Sequence, residues 1–135
     1  MYQSVTKLRV RYGETDQMGY VYYGNYAVYL EVARVEIMRE LGFSYKEMEH
    51  DGILMPVLHF EIKYVRPAFY DDLITVTTIV KEMPDRRIHF EYELTNEKQE
   101  LLSLAKTTLA FVSKTTMKAV RVPEILANLL QPFFK

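Results

Sequence analysis

Asp16 stands in the stretch RYGETDQMGYVYYGNY, Arg11 to Tyr26, which opens like the end of a strand and closes like the start of a helix. A helix beginning between Gly24 and Tyr26, with Asn25 as its candidate N-cap, presents first-turn N–H groups that lack an intrahelical partner and carry the positive end of the helix dipole. Such groups polarise a carbonyl and hold a developing oxyanion. A carboxylate beside them can activate water or attack the carbonyl itself. Together these are parts for acyl transfer to water. Gly19 and Gly24 let the backbone turn and let a ligand approach it closely. The plainer reading of the same residue types is an acidic cap, two turn glycines and five packing tyrosines: Tyr20, Tyr22, Tyr23, Tyr26 and Tyr29. The elements around them decide between the two.

Upstream, Leu8, Val10 and Tyr12 alternate with Lys7, Arg9 and Arg11, the pattern of a strand with one wet face. Downstream, Tyr26, Tyr29, Leu30, Ala33, Ile37 and Leu41 fall at helical spacing, and a second apolar row, Val28, Val32 and Val35, lies beside them. Charge gathers at Glu31, Arg34, Glu36, Arg39 and Glu40. A helix apolar on most sides is expected to be embedded, and Gly42 is its expected stop. SYKEMEHDG reads as a short helix or turn, with Ser44 and Glu47 at capping-box spacing. Four long strands follow. Leu58, Phe60, Ile62 and Tyr64 mark the first, which Pro67 ends, and Ile74, Val76 and Val80 the second. Ile88, Phe90, Tyr92 and Leu94 mark the third, and the fourth covers about Leu101 to Val112. Pro123 opens a short amphipathic helix in the tail. Consecutive strands with tight turns pair antiparallel. One long helix and one such sheet predict an α+β fold with the sheet curled round the helix, in a single domain over 1–135. Exposed sheet edges invite pairing with a second copy.

Composition narrows the field. With 49% hydrophobic and 26% charged residues the chain can build a core and remain soluble. Net charge is −1, from 17 basic and 18 acidic residues, which gives no electrostatic case for nucleic-acid binding. The absence of cysteine excludes disulfides, thiolate nucleophiles and zinc–thiolate sites. The first residues alternate at once and lack the apolar core of a secretory signal, and no apolar run approaches the roughly 20 residues needed to span a bilayer. The expected location is cytoplasmic. His50, His59 and His89 have no ligand spacing typical of a metal site, so no metal is expected.

The stretch YGETDQMGYVYYGNY, followed by EVAR in the helix, resembles the signature of the 4-hydroxybenzoyl-CoA thioesterase branch of the hotdog-fold superfamily, which includes the small acyl-CoA thioesterases associated with the Tol-Pal system. The matching positions are Glu14, Thr15, Asp16, Gly19, Val21, Tyr22, Tyr23 and Tyr26, and KYVRPAFYDDLITV resembles a second family segment. The resemblance implies a hotdog fold and hydrolysis of an acyl-CoA thioester, aliphatic or aromatic, without a cofactor. It implies that Asp16 is the catalytic carboxylate and that the backbone N–H groups near Tyr23 and Gly24 polarise the carbonyl. Tyr23 falls where many members carry histidine and others tyrosine. A tyrosine there, with a reference pKa of about 10, mainly donates a hydrogen bond or shapes the pocket.

The acyl chain is expected along Tyr26, Tyr29 and Leu30. The resemblance implies a site at a dimer interface, closed by a strand of a second subunit for which Val57, Leu58 and His59 are the candidates, in a homodimer or a dimer-of-dimers tetramer. Arg86 and Arg87, ahead of Arg66 and Lys114, are the candidates for the coenzyme A phosphates. A carrier-protein thioesterase or a non-catalytic acyl-CoA binder on the same fold are the alternatives. Hydratase relatives on this fold typically rely on a His paired with an acid in different motifs, which this sequence does not display.

Overall fold

The structure is a computed structural model and describes residues 1–134. Strand β1 (Tyr2–Arg9) leads through two single 3-10 turns, Tyr12–Glu14 and Tyr23–Asn25, into helix α1 (Tyr26–Leu41). Helix α2 (Tyr45–His50), strands β2 (Ile53–Leu54), β3 (Val57–Tyr64), β4 (Leu73–Val80), β5 (Arg87–Thr95), β6 (Leu101–Ser113) and β7 (Ala119–Val120), and helix α3 (Glu124–Leu130) follow.

All strand pairs are antiparallel, and the long strands run in the order β1-β4-β5-β6-β3, with the short β2 and β7 also on β6. Ile74, Val76 and Val80 of β4 are buried together with Ile88, Phe90, Tyr92 and Leu94 of β5. They meet Tyr26, Tyr29, Leu30, Ala33 and Ile37 of α1 in one core, which is the sheet-round-helix arrangement expected from the alternation. Each fully buried large apolar side chain contributes about 1.5–3 kcal/mol. Gly42 closes α1 in the left-handed conformation, φ 103°, where its lack of Cβ removes the strain any other residue would carry. Ser44 and Glu47 form the expected capping box.

Four features depart from the sequence reading. β1 ends at Arg9, and Tyr12 lies in a 3-10 turn and is 78% exposed, because Arg11 and Glu14 bond each other across that turn. The valine row of α1 is not embedded: Val28 and Val32 are exposed, since the sheet curls round only one side of the helix. Arg34, read as one of the helix's charges, is buried, and its Nη1 donates to the Tyr92 hydroxyl at 3.2 Å. That hydroxyl shares a further hydrogen bond of 2.6 Å with Thr107, so the cation sits among neutral oxygens rather than beside an acid. Pro123 precedes α3 as its cap residue instead of opening the first turn.

β3 is a sheet edge. Val57, Leu58, Phe60 and Tyr64 are all exposed, and a register shift between Val57 and His59 sets Leu58 out of the ladder. On the outer face of the sheet, Glu61, Lys106 and Glu91 lie side by side in register, alternating in charge across β3, β6 and β5. Among the described residues, no helix is long and apolar enough to cross a membrane.

Candidate active site

The loop between the two 3-10 turns is a miniature hairpin. Thr15 pairs with Val21, the Asp16 N–H donates to Tyr20 O at 3.0 Å, and Gly19 turns the chain at φ 87°. Val21 is buried and its N–H donates to Ala68 O at 2.8 Å, which pins this hairpin to the segment after β3. Tyr20 pairs with Phe69 beside it. One carboxylate oxygen of Asp16, Oδ1, accepts the Met18 N–H at 2.8 Å, an Asx turn that fixes the side chain. Its other oxygen has no hydrogen-bond partner and no cation beside it among the described residues.

The carboxylate borders a cavity of about 490 Å³. Its walls are mainly aromatic, Tyr20, Tyr22, Tyr23, Tyr26 and Tyr64, with Arg66 at one side. Tyr26 and Tyr64 meet edge to face at 5.1 Å, and the Tyr64 hydroxyl donates to Tyr23 O at 3.3 Å, tying β3 to the second 3-10 turn. Burial pushes the Tyr26 phenol above its usual range against the pull of the Ala68 backbone N–H, and Tyr64 adds to the rise. Burial likewise raises Tyr64. The Tyr23 side chain raises Tyr22, with a smaller push from Asp16. These three phenols therefore hold their protons at neutral pH and act as donors, not bases.

The turn Tyr23–Asn25 supplies the second chemical part. Asn25 N–H donates to Tyr22 O and Tyr26 N–H to Tyr23 O, while Tyr22 N–H donates to Glu14 O. The N–H groups of Tyr23 and Gly24 have no acceptor among the described residues. Gly24 is not in a left-handed conformation. A Cβ there would stand 2.9 Å from Tyr22 Cε2, so its bare Cα makes room for the Tyr22 ring. A carboxylate with an open oxygen, two donor N–H groups and an apolar wall can polarise a carbonyl and deliver a nucleophile to it.

Of the residues expected at the site, Asp16, Tyr23 and Tyr26 line this cavity and Gly24 adjoins them in the chain. Tyr29 and Leu30 are buried in the core behind Tyr26 and do not border the cavity. Val57, Leu58 and His59 lie on the free edge of β3 away from it, and His59 Nε2 is 3.1 Å from Glu61. Arg86 and Arg87 are exposed beside and at the start of β5 and do not reach the cavity of their own chain. Arg66, ranked behind them from sequence, does.

Glu14, named from sequence only as a motif position, is a hub. Its Oε1 accepts the Arg11 N–H at 2.8 Å and the Tyr29 hydroxyl at 2.9 Å, and its Oε2 accepts the Arg11 guanidinium at 3.2 and 3.0 Å. Burial works to raise its pKa, but those donors together hold the carboxyl below the usual range. Tyr29→Phe removes one hydrogen bond to this charge and is expected to cost roughly 1–3 kcal/mol at neutral pH. A carboxyl that is more acidic folded than unfolded stabilises the protein above its unfolded pKa, and that contribution is lost as pH falls through the folded value. The gap between wild type and Tyr29→Phe in urea unfolding is therefore expected to narrow below about 4.5, the ordinary value for this carboxyl. A gap unchanged across the acid range would show that the hydroxyl does not depend on the charge.

The chain is similar to known proteins over nearly its whole length. The pattern of the thioesterase-like superfamily matches residues 10–130. YneP of Bacillus subtilis is 36% identical, over 90% of this chain and 88% of its own. The acyl-CoA thioesterase YbgC of Haemophilus influenzae is 35% identical, over 87% of this chain and 86% of its own. The DHNA-CoA thioesterase of Staphylococcus aureus superposes with a TM-score of 0.86 at 38% identity, covering 99% of this chain and 85% of that one.

Proposed function

The chain belongs to the thioesterase-like superfamily, with the hotdog arrangement of sheet and helix, and from that premise we propose that it hydrolyses the thioester bond of acyl-coenzyme A esters. The observation that carries the reading is the open oxygen of Asp16 on the same aromatic cavity as the turn whose Tyr23 and Gly24 N–H groups lack acceptors. The thioester carbonyl takes its place against those two N–H groups, which stabilise the oxyanion as it forms. Asp16 activates water or attacks the carbonyl itself. A thioester suits so small a kit: its carbonyl is more electrophilic than an amide's, and the thiolate leaves without strong acid assistance. Tyr23 donates a hydrogen bond or shapes the pocket.

The acyl group, aliphatic or aromatic, lies against Tyr20, Tyr22, Tyr26 and Tyr64. Arg66 is the nearest base for the phosphates of coenzyme A. Its pairing with Glu100 is loose, 3.8 Å between half-exposed groups, and contributes little that a phosphate would have to displace. The free edge of β3 is the surface we assign to a second copy, whose Val57, Leu58 and His59 then close the cavity from across the interface. Arg86 and Arg87 can serve a cavity only from such a neighbour. Light scattering showing a monomer at working concentration would remove that part of the reading.

The test of the activity is thiol release from a panel of acyl-CoA esters. Turnover on at least one ester is expected. Tight binding without turnover would favour a non-catalytic acyl-CoA binder, and turnover only of carrier-protein esters would move the substrate to that class.

A further inference from the structure

Asn25 stands immediately ahead of α1, where a side-chain oxygen ordinarily accepts an N–H of the first helical turn. It does not do so. Its backbone is already helical, φ −77° and ψ −15°, and no side-chain cap forms. Its Nδ2 donates instead to Glu14 O at 2.8 Å. The same carbonyl oxygen accepts the Tyr22 N–H at 2.9 Å. One atom of the chain thus grips residue 22 and residue 25, and the residues between, Tyr23 and Gly24, are the pair whose N–H groups lack acceptors. Glu14 is held in turn through its carboxylate, by Arg11 on one side and by Tyr29 of α1 on the other.

We infer that Glu14 and Asn25 are positioning residues, a brace that holds the Tyr23 and Gly24 N–H groups where the carbonyl oxygen of a substrate must sit. Neither needs to touch the substrate. The inference rests on the thioesterase reading of the site. A single 3-10 turn has poor hydrogen-bond geometry of its own and takes its shape from what it is tied to. Oxyanion donors act over a narrow distance, about 2.7–3.1 Å from the developing charge, and a misplacement of about 1 Å can cost roughly 10²-fold. Giving up the helix cap in favour of a bond to Glu14 makes physical sense where the position of the turn matters more than the helix end.

Two variants separate positioning from simple helix support. Asn25→Ala loses the bond to Glu14 and every possibility of a cap. Asn25→Ser restores a preferred cap residue, but its hydroxyl is too short to span to the Glu14 carbonyl. The expected result on a hydrolysable acyl-CoA ester is a kcat about 10–100-fold lower in both, with KM within about twofold of wild type and the serine variant melting close to wild type. A kcat within about threefold of wild type in the serine variant would overturn the brace, as would a loss in both that simply follows a fall in melting temperature. If the alanine variant does not fold, the serine variant decides alone. Wild type that hydrolyses no acyl thioester brings down the thioesterase reading and this inference with it. An active wild type with indifferent Asn25 variants overturns this inference only.

Discussion

Asp16→Asn is expected to lower kcat on a hydrolysable acyl-CoA ester by about 10²–10⁴, the usual loss when a general base is removed. That corresponds to roughly 3–5 kcal/mol of transition-state stabilisation. The substitution is nearly isosteric. Its amide oxygen can still accept the Met18 N–H, so the Asx turn and the small hairpin around it survive. Asp16 has no ion pair to lose among the described residues, and thermal stability should therefore change little. What disappears is the charge that delivers the nucleophile. The thioester still meets the Tyr23 and Gly24 N–H groups and the same tyrosine walls, so KM is expected to stay near wild type. Full activity in a folded Asp16→Asn protein would show that the carboxylate does not take part, and the Asx turn would then be its whole role.

The second large effect falls on stability. Leu30→Ala is expected to destabilise the protein by about 2–5 kcal/mol, the range for emptying a packed leucine site. Leu30 is completely inaccessible and belongs to the face of α1 that the sheet wraps. The void it leaves is bounded by large side chains of α1 and the sheet that can close in only partially. In urea the midpoint should fall with the slope unchanged. Because Tyr26 rather than Leu30 borders the cavity, kcat and KM measured well below the transition should stay within about threefold of wild type. A raised KM with stability intact would instead return Leu30 to the acyl wall.

Much of this was legible in the chain. The unbroken alternation of Ile88, Phe90, Tyr92 and Leu94 describes β5 as it stands, and Gly42 and the Ser44–Glu47 box sit where helix chemistry requires them. The clustering of Asp16, Tyr23 and Tyr26 round one cavity followed from their nearness in the chain. The misses come from what a local pattern does not carry. Periodicity says which residues share a face but not whether anything covers it, so Val28 and Val32 read as buried and Arg34 as wet. A two-residue ladder such as β2 or β7 has no period to detect. Arg66 outranks Arg86 and Arg87 at the cavity because Val21 and Tyr20 bind the segment after β3, a pairing no local pattern announces. By its type Asn25 reads as a cap. Its donor group, used toward Glu14, is the half of the amide that a cap does not need.

The strand order also sets a sequence of assembly. β4, β5 and β6 follow one another through short turns and can zip locally. β1 must wait, because it pairs with β4 only after the chain through α1 and β3 has been closed, bringing Arg9 against Leu73. Closing a long loop costs entropy that only the completed pairing returns, so β1 is expected to dock late and to detach early. Hydrogen exchange along β1 and β5 reads that order directly. The loop of Glu14 and Asp16 is anchored by β1 at one end and by Ala68, Phe69 and Tyr29 beyond it, so a warming molecule that sheds β1 would lose one anchor of its reactive loop while the meander behind it was still intact. For this architecture, loss of activity is expected to run ahead of melting.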